Sequence, residues 1–161
     1  MIQEEIAEIF FKTKKTLAVA ESCTGGYLSH LITSVPGCSE FFMGSVVSYS
    51  NEAKRSILNV RELNLKKHGA VSEFVVNDMA INTMGLFDVD YSIATSGIAG
   101  PLGGTDEKPV GTVWICVATT TRFNAKVYHF DPELGRIGIA QKASETALEM
   151  LKEELEKDID K

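Results

Sequence analysis

The apolar run Thr16-Leu17-Ala18-Val19-Ala20 stops on Glu21-Ser22-Cys23-Thr24-Gly25-Gly26, and apolar residues then return at helical spacing in Tyr27, Leu28, Leu31 and Ile32. Strand, glycine turn and helix within so short a stretch commit the chain to layered α/β packing. The rest of the sequence agrees. Ile6, Ile9, Phe10 and Phe11 form a helical stripe over residues 3–13, opened by an acidic first turn. Val35 to Ser39 reads as a loop, and Phe41 to Tyr49 is apolar and β-branched, a second strand. Asn51 to Leu58 is a short helix capped by Ser50 or Asn51, and Arg61 to His68 is another, ended by Gly69. Ser72-Glu73 opens a longer helix with Val75, Val76, Met79, Ala80 and Met84 on its apolar face. Tyr91 to Thr95 is a strand, Thr112 to Thr119 and Phe123 to Phe130 are paired strands, and Gly138 to Lys157 closes the chain as an amphipathic helix. No repeat or linker divides residues 1–161. The expected fold is one α/β layered domain, a mixed β-sheet flanked by helices.

Composition narrows the function. A chain of 161 residues buries roughly 70% of its unfolded surface, so it needs no disulfide or metal to hold a core. Sixteen basic against twenty-two acidic residues leave a net charge of −6. That balance argues against a nucleic-acid partner bound by broad phosphate neutralisation. No apolar run approaches the roughly 20 residues of a membrane span, and Met1-Ile2-Gln3-Glu4-Glu5 lacks the basic start of a secretory signal. A cytoplasmic protein with no membrane partner is expected. Cys23, Cys38 and Cys116 form no C-x-x-C pair, and His30, His68 and His129 match no ligand spacing, so neither metal nor cofactor is implied.

Three segments could carry chemistry. The first is the Glu21–Gly26 turn, where hydroxyls and glycine-freed amides gather at a strand end, the place where open α/β sheets bind ligands. The second is Ser48-Tyr49-Ser50-Asn51-Glu52-Ala53-Lys54, where polar groups crowd the end of the second strand. On a helix, Ser50 and Lys54 share a face. The third is the glycine-rich stretch from Gly97 to Gly111, which contains Gly100-Pro101-Leu102-Gly103-Gly104-Thr105 and is long for a plain connector.

Taken with His68-Gly69-Ala70-Val71-Ser72-Glu73, Gly97-Ile98-Ala99-Gly100-Pro101 and Lys108-Pro109-Val110-Gly111-Thr112-Val113-Trp114, these segments resemble the C-terminal domain of the competence/damage-inducible protein CinA over nearly the whole chain. That family includes stand-alone nicotinamide-nucleotide amidases. The resemblance implies an α/β domain that commonly self-associates, so a homo-oligomer is expected. It also implies hydrolysis of the carboxamide of nicotinamide mononucleotide, a small-molecule pyridine nucleotide, with release of ammonia. It places the family's serine–lysine pair on Ser22 and Lys54, with Ser22 as attacker and neutral Lys54 as its base. Cys23, Ser48 and Thr24 are rival attackers. The amides of Cys23, Thr24, Gly25 and Gly26 are open to either the oxyanion or the substrate phosphate. Tyr49 is a candidate for stacking on the ring, and Thr105 and Gly100 for contacts from the glycine loop. Arg136 is the phosphate candidate, because its planar fork suits that group. Glu21 can face Lys54, the ring or a helix end.

The chain departs from the family's usual pattern at three positions. Gly135 stands where Asp is usual, Ala140 where a second arginine is usual, and Leu102 where Asp is often found. Two other readings therefore stand beside the amidase: a nucleotide-binding or assembly module that has lost turnover, and an amidase for a related unphosphorylated substrate.

Overall fold

A computed structural model describes residues 1–161. Its helices are α1 (Ile2–Thr13), α2 (Tyr27–Thr33), α3 (Asn51–Ser56), α4 (Glu62–His68), α5 (Glu73–Phe87) and α6 (Gly135–Ile159). Its strands are β1 (Leu17–Glu21), β2 (Phe42–Val47), β3 (Tyr91–Gly97), β4 (Thr112–Thr119) and β5 (Phe123–His129). They form one sheet in the order β2-β1-β3-β4-β5. β1 runs parallel to β2 and β3, whereas β4 and β5 join antiparallel, so the sheet is mixed as expected.

β1 is buried along its whole length and β3 along all but its last residue. Their continuous apolar character follows from helices covering both faces. Leu17, Val19, Ile93, Val113 and Ile115 pack beneath α1, α2 and α6 in the larger core, where Phe10 stacks on Phe41 at 4.9 Å. Alternate residues Ala20, Ala94, Cys116 and Ala118 pack on the other face against Val75, Val76, Met79 and Ala80 of α5. Small side chains on that face let α5 lie close. Because β1 sits between β2 and β3, the chain turns one way after β1 and the other way after β2. That reversal creates a crevice at the strand ends, the usual ligand position in such sheets.

Three boundaries near the crevice differ from the sequence reading. β2 stops at Val47, so Ser48 and Tyr49 lie beyond the strand, and α3 stops at Ser56. α6 begins at Gly135 rather than Gly138, which puts Arg136 inside its first turn. No side chain caps that start, since Leu134 occupies the cap position in helical conformation.

Candidate active site

Strand alternation settles where Glu21 and Ser22 point. Leu17 and Val19 face the α2 side, so Glu21, two residues on, faces it too. Its Oε1 accepts from the Thr24 hydroxyl at 2.7 Å, the Gly26 amide at 3.1 Å and the Leu28 amide at 3.0 Å. Its Oε2 accepts from the amide and hydroxyl of Ser29 at 3.1 and 2.5 Å. Glu21 is 0% exposed and every contact is a donor, which suits an acceptor-only carboxylate. This corrects the assignment of Glu21 to substrate binding: it holds the start of α2 from inside the fold. It also fills the helix-end amides that the sequence offered to an anion. Replacing Glu21 with glutamine turns an acceptor toward Ser29 into a donor, and is expected to cost about 2 kcal/mol of stability. Urea unfolding with an unchanged m-value checks this.

Ser22 takes the opposite face and meets Lys54. Ser50 begins α3 by accepting the Ala53 amide at 3.0 Å, and the helix carries Lys54 inward. Lys54 is 1% exposed. Its Nζ lies 2.9 Å from Ser22 Oγ, 2.8 Å from the Ser48 carbonyl and 3.2 Å from the Tyr49 carbonyl. Carbonyls only accept, so they take two N–H groups of the amine. The third tetrahedral direction faces Ser22 Oγ, and in the neutral amine that direction is the lone pair. Burial lowers the Lys54 pKa from 10.5 to about 8, with the Cys23 thiol pulling weakly the other way. At pH 7 roughly a tenth of the amine is then neutral.

The rival attackers fare worse. Burial pushes the Cys23 thiol up to about 12, which leaves almost no thiolate near neutrality. Thr24 spends its one hydroxyl hydrogen on Glu21, so Thr95, 2.8 Å away, must donate to Thr24. Ser48 is fully buried beside the pair, and its Oγ has no hydrogen-bond partner within the chain. Gly25 and Gly26, at φ of 59° and 99°, make the tight turn after Ser22. The Gly25 amide donates to the Ser22 carbonyl at 3.0 Å and Gly26 donates to Glu21, so both are spent. The amides of Cys23 and Thr24 donate to no protein oxygen. Of the turn's amides, these two are left for a ligand.

Next to the turn is a pocket of about 290 Å³. Cys23, Thr24 and Gly25 form one side, Tyr27 and Tyr49 another, and Arg136, Ile137, Ala140 and Gln141 of α6 close it. Arg136 donates to the Gly100 carbonyl at 2.8 Å and to the Tyr49 hydroxyl. Tyr49 is exposed at 56%, so it is a surface aromatic rather than a core one. Ser22 and Lys54 lie behind the pocket wall, and Ser22 keeps 7% of its surface exposed. Thr105 is not on this wall. Its hydroxyl accepts the Lys108 amide at 3.0 Å and its amide donates to the Lys108 carbonyl at 2.9 Å, closing an exposed turn in its own loop. This corrects its placement as a ligand contact. Gly100 contributes through its carbonyl, to Arg136. Tyr27, Ile137 and Gln141 on the wall, and Thr95 behind it, were not among the expected site residues. For Thr95 the signal was its position at the end of β3, beside the β1 turn.

The comparisons with known proteins show the family and the fold. A family model described as the CinA C-terminal domain matches residues 1–155, and the chain belongs to that family. It is 47% identical over 154 residues, 96% of its length, to a CinA-like protein of Thermotoga neapolitana, but covers only 37% of that relative. Against the CinA-like protein of Thermotoga maritima it is 57% identical over 114 residues, 71% of this chain and 28% of the relative. The chain thus spans about a third of the length of these curated relatives. The competence damage-inducible protein A (ComA) of Klebsiella pneumoniae has a solved structure with a TM-score of 0.91 at 36% identity, over 96% of this chain and 94% of that one. The competence/damage inducible protein CihA of Agrobacterium tumefaciens gives 0.91 at 33% identity, over 93% and 91%. None of these names states a reaction.

Proposed function

We propose that the chain is a nicotinamide-nucleotide amidase, converting the carboxamide of nicotinamide mononucleotide to the carboxylate and ammonia with Ser22 as nucleophile and Lys54 as base. One observation carries this reading: a buried amine with no carboxylate partner, its Nζ 2.9 Å from a serine hydroxyl. Ser22 Oγ bonds to the amide carbon while its proton moves to Lys54 Nζ. The carbonyl oxygen takes up the negative charge, and the free amides of Cys23 and Thr24 receive it. The tetrahedral carbon then collapses, the C–N bond breaks, and the proton held on Lys54 ends on the departing nitrogen as ammonia. Water attacks the ester left on Ser22, gives a proton to Lys54, and the C–O bond breaks as that proton returns to Ser22. The positive charge of a bound pyridinium disfavours the charged form of Lys54 and raises the neutral fraction further.

In this reading Arg136 presents its remaining N–H groups to the phosphate, steadied by Gly100 and Tyr49. Arg136→Leu is expected to raise KM for the mononucleotide by roughly 10–100-fold, the weight of a charged hydrogen bond. The same change leaves kcat/KM for the riboside unaltered, and steady-state kinetics on the two substrates checks it.

Ammonia release from the mononucleotide by purified protein tests the proposal, with the riboside and free nicotinamide as comparators. Turnover confined to the mononucleotide supports it. The slight exposure of Ser22 and the apolar wall at Ile137 and Ala140 favour the second reading, a binding module without turnover. Tight nucleotide binding without ammonia would decide for that reading.

A further inference from the structure

Thr95 stands near the end of β3 and is 0% exposed. It follows Ile93 onto the face of the larger core, and its cross-strand neighbour on β4 is Ile115. A valine would suit such a place, and a hydroxyl buried there costs stability unless it is bonded. The Thr95 hydroxyl makes one side-chain bond, to Thr24 Oγ1 at 2.8 Å. Thr24 in turn donates to Glu21 Oε1 at 2.7 Å, so Thr95 is the donor to Thr24. The Thr24 carbonyl accepts the Tyr27 amide at 2.9 Å. Each polar atom of Thr24 is thus held except its amide, one of the two left for a ligand. The chain just after it gives little hold, because Gly25 and Gly26 follow at positive φ. The clamp on Thr24 comes from side chains instead, Glu21 on β1 and Thr95 on β3.

We infer that Thr95 is a positioning residue for amide hydrolysis: its hydroxyl, acting through Thr24, fixes the amide that receives the oxyanion. This rests on the amidase reading above. An oxyanion donor lowers the barrier because it is already aimed where charge develops, with no reorganisation during the reaction. A displacement of about 1 Å is enough to cost roughly 10²-fold. Without the Thr95 hydroxyl, Thr24 keeps its bond to Glu21 but loses its anchor on β3. Its side chain then turns about a single bond, and the amide drifts from the oxygen it meets. The negative charge forms only on the way to the tetrahedral carbon, so the loss falls on kcat rather than KM. Thr95 has no hydrogen bond to Ser22 or Lys54, which meet on the other face of the sheet. The pair itself is therefore left as it was.

The test is steady-state ammonia release from the mononucleotide by the wild type and by Thr95→Val, Thr95→Cys and Thr95→Ser, each assayed below its Tm. Thr95→Val keeps the branched strand residue without the hydroxyl. It is expected to lower kcat by roughly 10-fold, less than the 10²–10³ of removing an oxyanion donor outright, with KM unchanged. Thr95→Ser restores the donor and should recover most of the loss. Thr95→Cys offers only a weak donor and should fall between the two, which keeps the test open if Thr95→Val does not fold. The rise of kcat/KM with pH through about 8, set by Lys54, should stay in every variant. An unchanged kcat, a loss confined to KM, no recovery in Thr95→Ser, or a lost pH step would overturn the positioning role while leaving the Ser22–Lys54 reading in place. A wild-type protein that releases no ammonia would overturn the amidase reading and the positioning role with it.

Discussion

Ser22→Ala is expected to lower kcat/KM for nicotinamide mononucleotide by roughly 10⁴-fold or more, the scale seen when a nucleophile is removed from a unit that works together. Its neighbours are poor replacements, and Ser48 is fully buried. The Cys23 thiol is raised to about 12 and holds its proton. The Thr24 hydroxyl hydrogen is committed to Glu21. The change should leave the fold intact, since the Gly25 amide bonds the Ser22 carbonyl rather than its side chain. Circular dichroism and Tm near wild type, alongside lost ammonia release, are the expected result. Full turnover would move the nucleophile elsewhere.

The second large effect belongs to Lys54. The base must be neutral, and its pKa lies at about 8, so kcat/KM of the wild type should rise with pH through about 8 and level off above it. Lys54→Met keeps an unbranched buried stem without the amine. It should lose roughly 10³-fold in activity and lose that pH step. Stability moves in a separate way. Because the folded pKa lies below the ordinary value of 10.5, folding below pH 8 forces a charged amine into the interior. That penalty is full at pH 7 and fades as pH rises from about 8 to 10.5. A drop of this size corresponds to about 3 kcal/mol. Lys54→Met escapes the penalty but gives up the amine's bonds to Ser22 and the two carbonyls. The stability of Lys54→Met relative to wild type should therefore be most favourable at pH 7 and decline toward pH 10.5. A difference that does not vary with pH would show that Lys54 is not buried as a costly charge.

Some of this was legible in the residues and some was not. The β1 turn announced itself, because two glycines after an apolar run leave little choice but strand, turn and helix. The direction of Glu21 was also legible in principle: Leu17, Val19 and Glu21 alternate onto one face, which sends Ser22 to the other. The partnership of Ser22 with Lys54 was not legible from spacing. It depends on β2 lying beside β1, and strand order is a property of the crossovers rather than of local pattern. It entered only through family resemblance. Thr105 misled because loop length suggested a ligand, while its hydroxyl turned back to Lys108. The start of α6 was placed late because Gly135 and Gly138 read as breakers, and Leu134 gives no capping signal. The orphan hydroxyl of Ser48 lay beyond any sequence reading, since burial without a partner is visible only in three dimensions.

In the proposed mechanism, carbon from the substrate is bonded for a time to the oxygen of Ser22. Quenching the protein with acid during turnover of the mononucleotide and mapping its peptides by mass spectrometry tests this directly. The expected result is a nicotinoyl-nucleotide adduct on Ser22, and none in Lys54→Met. Ammonia released with no adduct on any residue, or with the adduct on Cys23, would contradict it.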